Sequence, residues 1–385
     1  MLPQNVTHRR VSLAFALVMM ILTPVLMAPS CAPPIIVHAG ESIQDAVDAA
    51  SPGDTILVLP GIYTGTPGDE SVVDVQKSGI TITGSKNAVI DASGFEYGIM
   101  VGADVPITAA GCPPITVTGF TLQGLTIKNA DHTGVHMIGV DGFSLNHGRY
   151  LDNFEYGPFP ICSKNGEIRG NFVSGSNDAA IYVGDDQNVN VIDNFVTDSV
   201  AGIEIENTLG SIVRGNVLTG NTAGILAFVL PGLPQPFTDT VLIEENEIVD
   251  NNRTNTGSGA VAGVPEGTGI LIIGADNVTV RNNHVTGNDS FGIAIIGNPF
   301  VFLDPRIEPF VDNLVVEDNT FLGNALNPDV LRAFASGDIV FLPDVFDPTT
   351  GTLLLTDPDP SDNCFAGNSF DVDFPPGIVG LFPCL

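Results

Sequence analysis

His136, Tyr182 and Glu204 each stand two residues after a small residue, namely Gly134, Ala180 and Gly202. His132, Glu155 and Asp178 stand two residues before Gly134, Gly157 and Ala180, and Tyr156, Asp185, Glu206 and Asn207 fall in the same short segments. Imidazole and phenol side chains move protons, and neighbouring carboxylates raise one another's pKa or hold a cation. His136 or Tyr182 is therefore a candidate general acid or base, with Glu204 as its acidic partner. Carboxylates on adjacent repeats also suit glycoside hydrolysis. The other seven, His132, Glu155, Tyr156, Asp178, Asp185, Glu206 and Asn207, are candidate ligand contacts. Two metal readings use the same groups: a divalent cation such as calcium on Glu204 and Glu206, or a transition metal on His132 and His136 with Asp178 or Glu204. The competing account is a plain row of polar residues, which any exposed strand carries.

The offsets have meaning because the chain repeats. The tetrad Gly202-Ile203-Glu204-Ile205 returns in variant form, with its first position at Gly134, Gly157, Ala180, Gly202, Gly224, Gly269 and Gly292. Successive gaps are 23, 23, 22, 22, 45 and 23 residues. A second column holds Asn171, Asn194, Asn216, Asn246, Asn283 and Asn319, each with an apolar residue three before and two after. Such a period, made of short alternating segments, is one coil of a solenoid whose coils stack at about 4.8 Å. Alternation sends Ile203 and Ile205 inward and Glu204 outward. The Asn column reads as structural: each Asn sits in a turn and bonds to the Asn of the next coil. A leucine-rich solenoid needs a leucine ladder and a left-handed β-helix a hexapeptide period. Neither is present, which leaves an all-β, single-domain, right-handed parallel β-helix.

A stacked core needs its open end closed. Ser42 is a good helix N-cap, and Ile43, Ala46, Val47 and Ala50 follow at one-face helical spacing, so a short capping helix is expected within residues 35–60. Coils are expected over about 70–325, with a C-terminal tail or cap over 326–385, inside one domain spanning 31–385. The longer repeat gaps mark inserted loops at 230–238, 251–266 and 298–312. Register arithmetic puts Leu226, Phe228, Leu271 and Ile273 on the same outer face as the polar groups. Apolar residues there should not stay wet, so the loops 230–238 and 251–266 should cover them or present them to a protein partner.

The chain has 13 Lys and Arg against 44 Asp and Glu, a net charge of −31. That balance excludes nucleic acid and anionic membrane as natural partners, and repels a bare polyuronate unless a cation bridges the two. His8, Arg9 and Arg10 precede an apolar run, Val11 to Leu22, with small residues before Cys31. Residues 1–30 read as a signal peptide of lipoprotein type, with Cys31 the lipidation site and any membrane attachment made through that lipid alone. Export permits disulfides, so Cys112 with Cys162 would tie an inserted loop to the body, and Cys364 with Cys384 would clamp the C-terminus.

Several stretches carry a resemblance: Gly40-Glu41-Ser42-Ile43-Gln44 with Pro52-Gly53-Asp54-Thr55, then Asp178 to Gly184, Val200 to Asn207, Leu230 to Pro234 and Val264 to Gly269. Over about residues 35–300 the chain resembles the pectin-lyase-like right-handed β-helix superfamily, and within it a family of exported bacterial parallel β-helix repeat proteins, many of them lipoproteins. The resemblance implies the fold and a role in the cell envelope. The superfamily includes epimerases marked by Asp-Pro-His-Asp, which this chain lacks, and lyases that use Lys or Arg beside calcium. This chain has four Lys, none beside the candidate groups. Three functions follow as expectations: binding or processing of a polysaccharide, with lyase, epimerase and hydrolase unresolved; a non-catalytic scaffold holding an envelope protein through its loops; and periplasmic metal handling.

Overall fold

The computed structural model describes residues 33–347 and 350–384. The leader 1–30 and Cys31 lie outside the described residues. Runs such as Ile203-Glu204-Ile205 and Val189-Asn190-Val191 alternate β-branched and polar residues, which suits a pleated strand with one face in the core. The chain accordingly winds as a right-handed parallel β-helix, in which successive coils add strands to three parallel sheets. Among the described residues, one sheet runs from Ile35–Val37 to Cys364–Ala366 and a second from Gly61–Tyr63 to Ser369–Phe370. The third has eleven strands, from Ser71–Val75 to Asp373–Phe374, and carries the candidate groups on its outer face.

Register is in phase from coil to coil. Ile181 pairs with Ile203, Ile203 with Ile225, Ile225 with Ile270 and Ile270 with Ile293. All five are fully buried in a core that runs the length of the stack. Each such side chain contributes roughly 1.5–3 kcal/mol by leaving water.

The Asn column is a hydrogen-bonded ladder. Asn171, Asn194, Asn216, Asn246, Asn283 and Asn319 each donate from Nδ2 to Oδ1 of the next rung at 2.9 to 3.0 Å, ending on Asn368. A second ladder, absent from the repeat reading, links Asn221, Asn251, Asn288 and Asn324 in the same way and ends on Asp338.

The helix Ile43–Ala49 closes the N-terminal end. Ser42 Oγ accepts from Asp45 N–H at 3.1 Å, and Ile43, Ala46 and Val47 are buried. No helix among the described residues is long and apolar enough to cross a membrane.

The ladders reach beyond residues 70–325 at both ends. Strands at 35–63 already belong to the sheets, and the tail supplies Gly337–Leu342, Cys364–Ala366, Ser369–Phe370 and Asp373–Phe374. Pairing needs only alternation and free backbone groups, which persist where the Gly-Ile tetrad fades. Cys112 is bonded to Cys162 and Cys364 to Cys384. The first bond holds the 103–116 insertion beside the site sheet; the second holds the C-terminal turn.

Candidate functional site

The bend after each site strand decides part of the composition there. Cys162, Asp185 and Asn207 occupy equivalent corners with φ of 53°, 51° and 50°, where Gly139 and Gly274 stand on other coils. Left-handed backbone favours Gly, Asn and Asp. Asp185 and Asn207 therefore have a backbone reason to be where they are. Both side chains also anchor the loop 230–238. Asn207 Nδ2 donates to Leu230 O at 2.9 Å and to Gln235 O, while its Oδ1 accepts from Leu230 N–H at 2.8 Å. Asp185 Oδ1 accepts from Gln235 N–H at 2.7 Å. At 3% and 0% exposure, Asp185 and Asn207 are loop anchors, which corrects their assignment as ligand contacts.

One outward column on the site sheet is aromatic. His136 stacks on Phe159 at 5.2 Å and Phe159 on Tyr182 at 4.3 Å, and the Tyr97 ring, which belongs to the neighbouring column opposite Thr133, reaches across to stack on His136 at 4.4 Å, each pair within 17° of parallel. The spacing follows the coil spacing, so the rings cover one another's faces and turn their edges outward. On the next coil Glu204 pairs with Tyr182, and Leu226 and Leu271 then continue the column. Burial pushes the His136 imidazole down to about 4, helped by repulsion from His132, so it is neutral at pH 7. Its Nδ1 is buried and has no hydrogen-bond partner.

The acids lie deeper than outward alternation alone suggests. Tyr182 is 5% exposed and Glu204 2%, because the insertions close over that part of the sheet. The half-open face is made by His132, His136, Glu155, Tyr156 and Asp178, with the candidate groups Tyr182 and Glu204, and Glu206, buried behind it. Tyr156 Oη donates to Asp178 Oδ2 at 3.0 Å, and His132 Nε2 lies 3.0 Å from Glu155 Oε2. Burial, then repulsion from Glu155, raises the Asp178 carboxyl against the lowering effect of the Tyr156 bond. Burial followed by repulsion from Asp178 and Glu206 raises Glu204 far above the usual carboxylate range. Glu206 is also raised, by burial first. Glu204 and Glu206 are both buried on the strand Ala201–Glu206, and Glu204 Oε2 has no hydrogen-bond partner. The arrangement is therefore a group of acids with raised pKa values, buried at Glu204 and Glu206 and opening to solvent at Asp178.

The transition-metal set does not assemble. Among the described residues, no three of His132, His136, Asp178 and Glu204 bring ligand atoms within 4.8 Å of one another. The His136 ring is held in the aromatic stack, and His132 is turned to Glu155 and to Thr133 Oγ1 at 2.7 Å.

Beyond Glu204 the face becomes apolar. A cavity of about 460 Å³ is lined by Leu226, Phe228, Leu271, Val261, Phe300 and Phe334, among others. The loops 230–238 and 251–266 wall it through Leu230, Val261 and Val264, as apolar outward positions required. Leu331, 89% exposed, stands at its edge.

Repeat arithmetic missed Tyr97, Phe159 and Gln235. Gly98-Ile99-Met100-Val101 is the same tetrad as Gly134-Val135-His136-Met137, one coil earlier across the 103–116 insertion, and extending the register to it puts Met100 opposite His136 and Tyr97 opposite Thr133, one position before the repeat Gly. Phe159 was on the outward face but is not a chemical group. Nothing local marks Gln235.

The family model described as "Right handed beta helix region" matches residues 115–321. Among solved structures, the A-module of the Azotobacter vinelandii mannuronan C-5 epimerase AlgE4 aligns with a TM-score of 0.61 at 18% identity, covering 84% of this chain and 81% of that one. The A-module of the AlgE6 epimerase from the same organism aligns at 0.53 and 14% identity, covering 87% and 94%. The DFA-IIIase of Arthrobacter chlorophenolicus A6, without its lid and in complex with GF2, aligns at 0.50 and 14% identity, covering 84% and 96%. At these identities the likeness is one of fold. No curated protein matches the sequence.

Proposed function

The chain belongs to the right-handed β-helix family, and from that premise we propose that it is an exported protein that binds and processes a polysaccharide on the half-open face of its eleven-stranded sheet. One observation carries the reading. Asp178 is a half-buried carboxyl held by Tyr156, with its pKa raised, in front of the buried acids Glu204 and Glu206. A carboxyl brought toward neutrality can both give and take a proton, as hydrolysis, elimination or epimerisation of a sugar requires. The three solved structures above are two mannuronan epimerases and an enzyme held with GF2, which supports carbohydrate chemistry as the class. A net charge of −31, with no Lys or Arg among the described residues in an ion pair with Asp178, favours a neutral glycan over a polyuronate. In this reading Asp178 is the acid–base group, Tyr156 positions it, and His132 and Glu155 contact the sugar. His136, Tyr182 and Glu204 set the environment behind them. Export and a lipid on Cys31 complete the proposal, and mass analysis of the mature N-terminus tests both.

The decisive experiment presents neutral and acidic oligosaccharides to the protein, reading binding by calorimetry and products by chromatography. Binding of a neutral glycan, with turnover lost in Asp178→Asn but affinity kept within about threefold, supports the reading. Failure of every glycan to bind sinks it.

The apolar cavity favours a second reading, that of a scaffold holding an envelope protein. Leu331→Glu at its edge would then abolish co-purification of that partner. Unaltered co-purification counts against it.

A further inference from the structure

The outward columns of the site sheet turn apolar after Glu204 and stay so over successive coils. Leu226 pairs with Leu271, Leu271 with Ala294 and Ala294 with Val340, while Phe228 pairs with Ile273 and Ile273 with Ile296. Alternation points these side chains out of the core, and all of them line the cavity of about 460 Å³. Strand pairing at about 4.8 Å per coil sets its floor, which is about 14 Å long from Leu226 to Val340.

The walls come from separate segments that are tied down by polar bonds. Leu230 stands in the loop 230–238, Val261 and Val264 in the loop 251–266, Phe300 in the insertion 298–312, and Ala333 and Phe334 in the segment that leads into Gly337–Leu342. Asn298 Nδ2 donates to Val229 O at 2.9 Å, and Asn255 Nδ2 donates to Val261 O and Val264 O at 2.8 Å each. Arg332 Nε donates to Ala262 O at 3.0 Å, which joins two of the walls. Walls pinned in this way do not collapse onto the floor, and the space is preformed, as small-molecule pockets are.

The chemistry of the lining selects its occupant. Among the described residues, Arg332 is the one charged group in it, and its charge is paired with Asp329 at 2.7 Å and Glu266 at 3.5 Å. Every other lining residue is Gly, Pro or apolar. No unpaired charge is left to hold an ionic head, and a net charge of −31 repels an anionic amphiphile. A peptide segment inside would bury backbone groups against side chains that offer no partner. An alkyl chain has no polar group to leave unpaired. Leu331 and Phe334, 89% and 47% exposed, mark the mouth.

We propose that the cavity binds one uncharged alkyl chain, such as that of a fatty alcohol or an acyl ester, which enters past Leu331 and Phe334 and leaves its polar end at the mouth. The site lies beyond Glu204 on the sheet, and it stands whether or not Asp178 acts on a glycan.

The test titrates full-length protein with N-phenyl-1-naphthylamine, an uncharged apolar fluorophore, and displaces it with octanol, decanol, dodecanol and sodium decanoate. One saturable site is expected, with alcohols that gain about fourfold in affinity per added CH₂ until the floor is filled. Decanoate, ionised at neutral pH, should bind about tenfold more weakly than decanol or worse. Ala294→Phe on the floor and Ala333→Phe on a wall each fill the space and should weaken decanol by about tenfold or more. Ala333 stands in a half-buried surface segment, so its variant carries the test should Ala294→Phe fail to fold. Absence of saturable binding overturns the inference and leaves the cavity to a protein partner. Decanol binding that the folded variants leave unchanged overturns it too, as does decanoate binding as tight as that of decanol.

Discussion

Tyr182 Oη donates a 3.2 Å hydrogen bond to Glu206 Oε1 on the next coil, and neither residue is more than 6% exposed. The phenol is thus a donor to a buried acid, which separates it from the half-open face around Asp178.

Tyr182→Phe should lower stability by about 1–3 kcal/mol, because Glu206 loses a buried donor. Glycan affinity should stay within about twofold, since the phenol does not reach the open face. Chemical denaturation and calorimetry read the two effects. A large loss of affinity with unchanged stability would return Tyr182 to the reacting groups.

Asn207→Ala removes the bonds that hold Leu230 and Gln235. The segment 230–238 should become the first site of proteolytic nicking and exchange its amides faster, with a stability loss of about 1–3 kcal/mol. Unchanged protection there would mean that apolar packing of Leu230 is enough to seat the loop.

The buried acids set an unusual pH profile. Asp185 is pushed up to about 7 by burial, against the lowering effects of Gln235 N–H and Arg306, and Asp178, Glu204 and Glu206 are raised as well. A carboxyl raised on folding binds its proton more tightly in the native state. Its stabilising contribution is present below the unfolded pKa and is lost as pH rises through the folded value. His136, lowered to about 4, works the other way between about 4 and 6.5 as a single group. The melting temperature in EDTA should therefore be higher near pH 5 than near pH 8. A melting temperature that climbs steadily from pH 5 to pH 8 contradicts this account.

The Asn ladder should be least tolerant in its middle. Asn246→Ala strips the acceptor from the Asn216 backbone N–H and Nδ2 and the donor from Val213 O. The expected loss is about 3 kcal/mol or more, from several buried groups left unpaired. Asn368→Ala, at the ladder's last rung, should cost less in the same urea titration.

The coil register was legible because it rests on local repetition. Gly202, Ile203 and Asn194 recur at fixed intervals, and the inward and outward faces follow from alternation alone. The depth of Tyr182 and Glu204 was not legible, because it depends on where insertions fold back, and Leu230 to Thr238 carry no periodicity. Asp185 and Asn207 looked like ligand groups for a related reason. Their left-handed corner and their bonds to Gln235 are relations between distant segments, which spacing along one strand does not encode.

Rungs of the Asn ladder meet at 2.9 to 3.0 Å whether 22, 30, 37 or 49 residues of chain separate them. The stack does not register how much polypeptide leaves and re-enters between two coils. Insertion and deletion at the rim are then close to neutral for folding, and selection can lengthen, shorten or exchange the walls while the spine is inherited unchanged. Homologues should accordingly differ most in the length of the segments after Phe228, Asp250 and Ile296, and least in the spacing from each ladder Asn to the apolar residues around it.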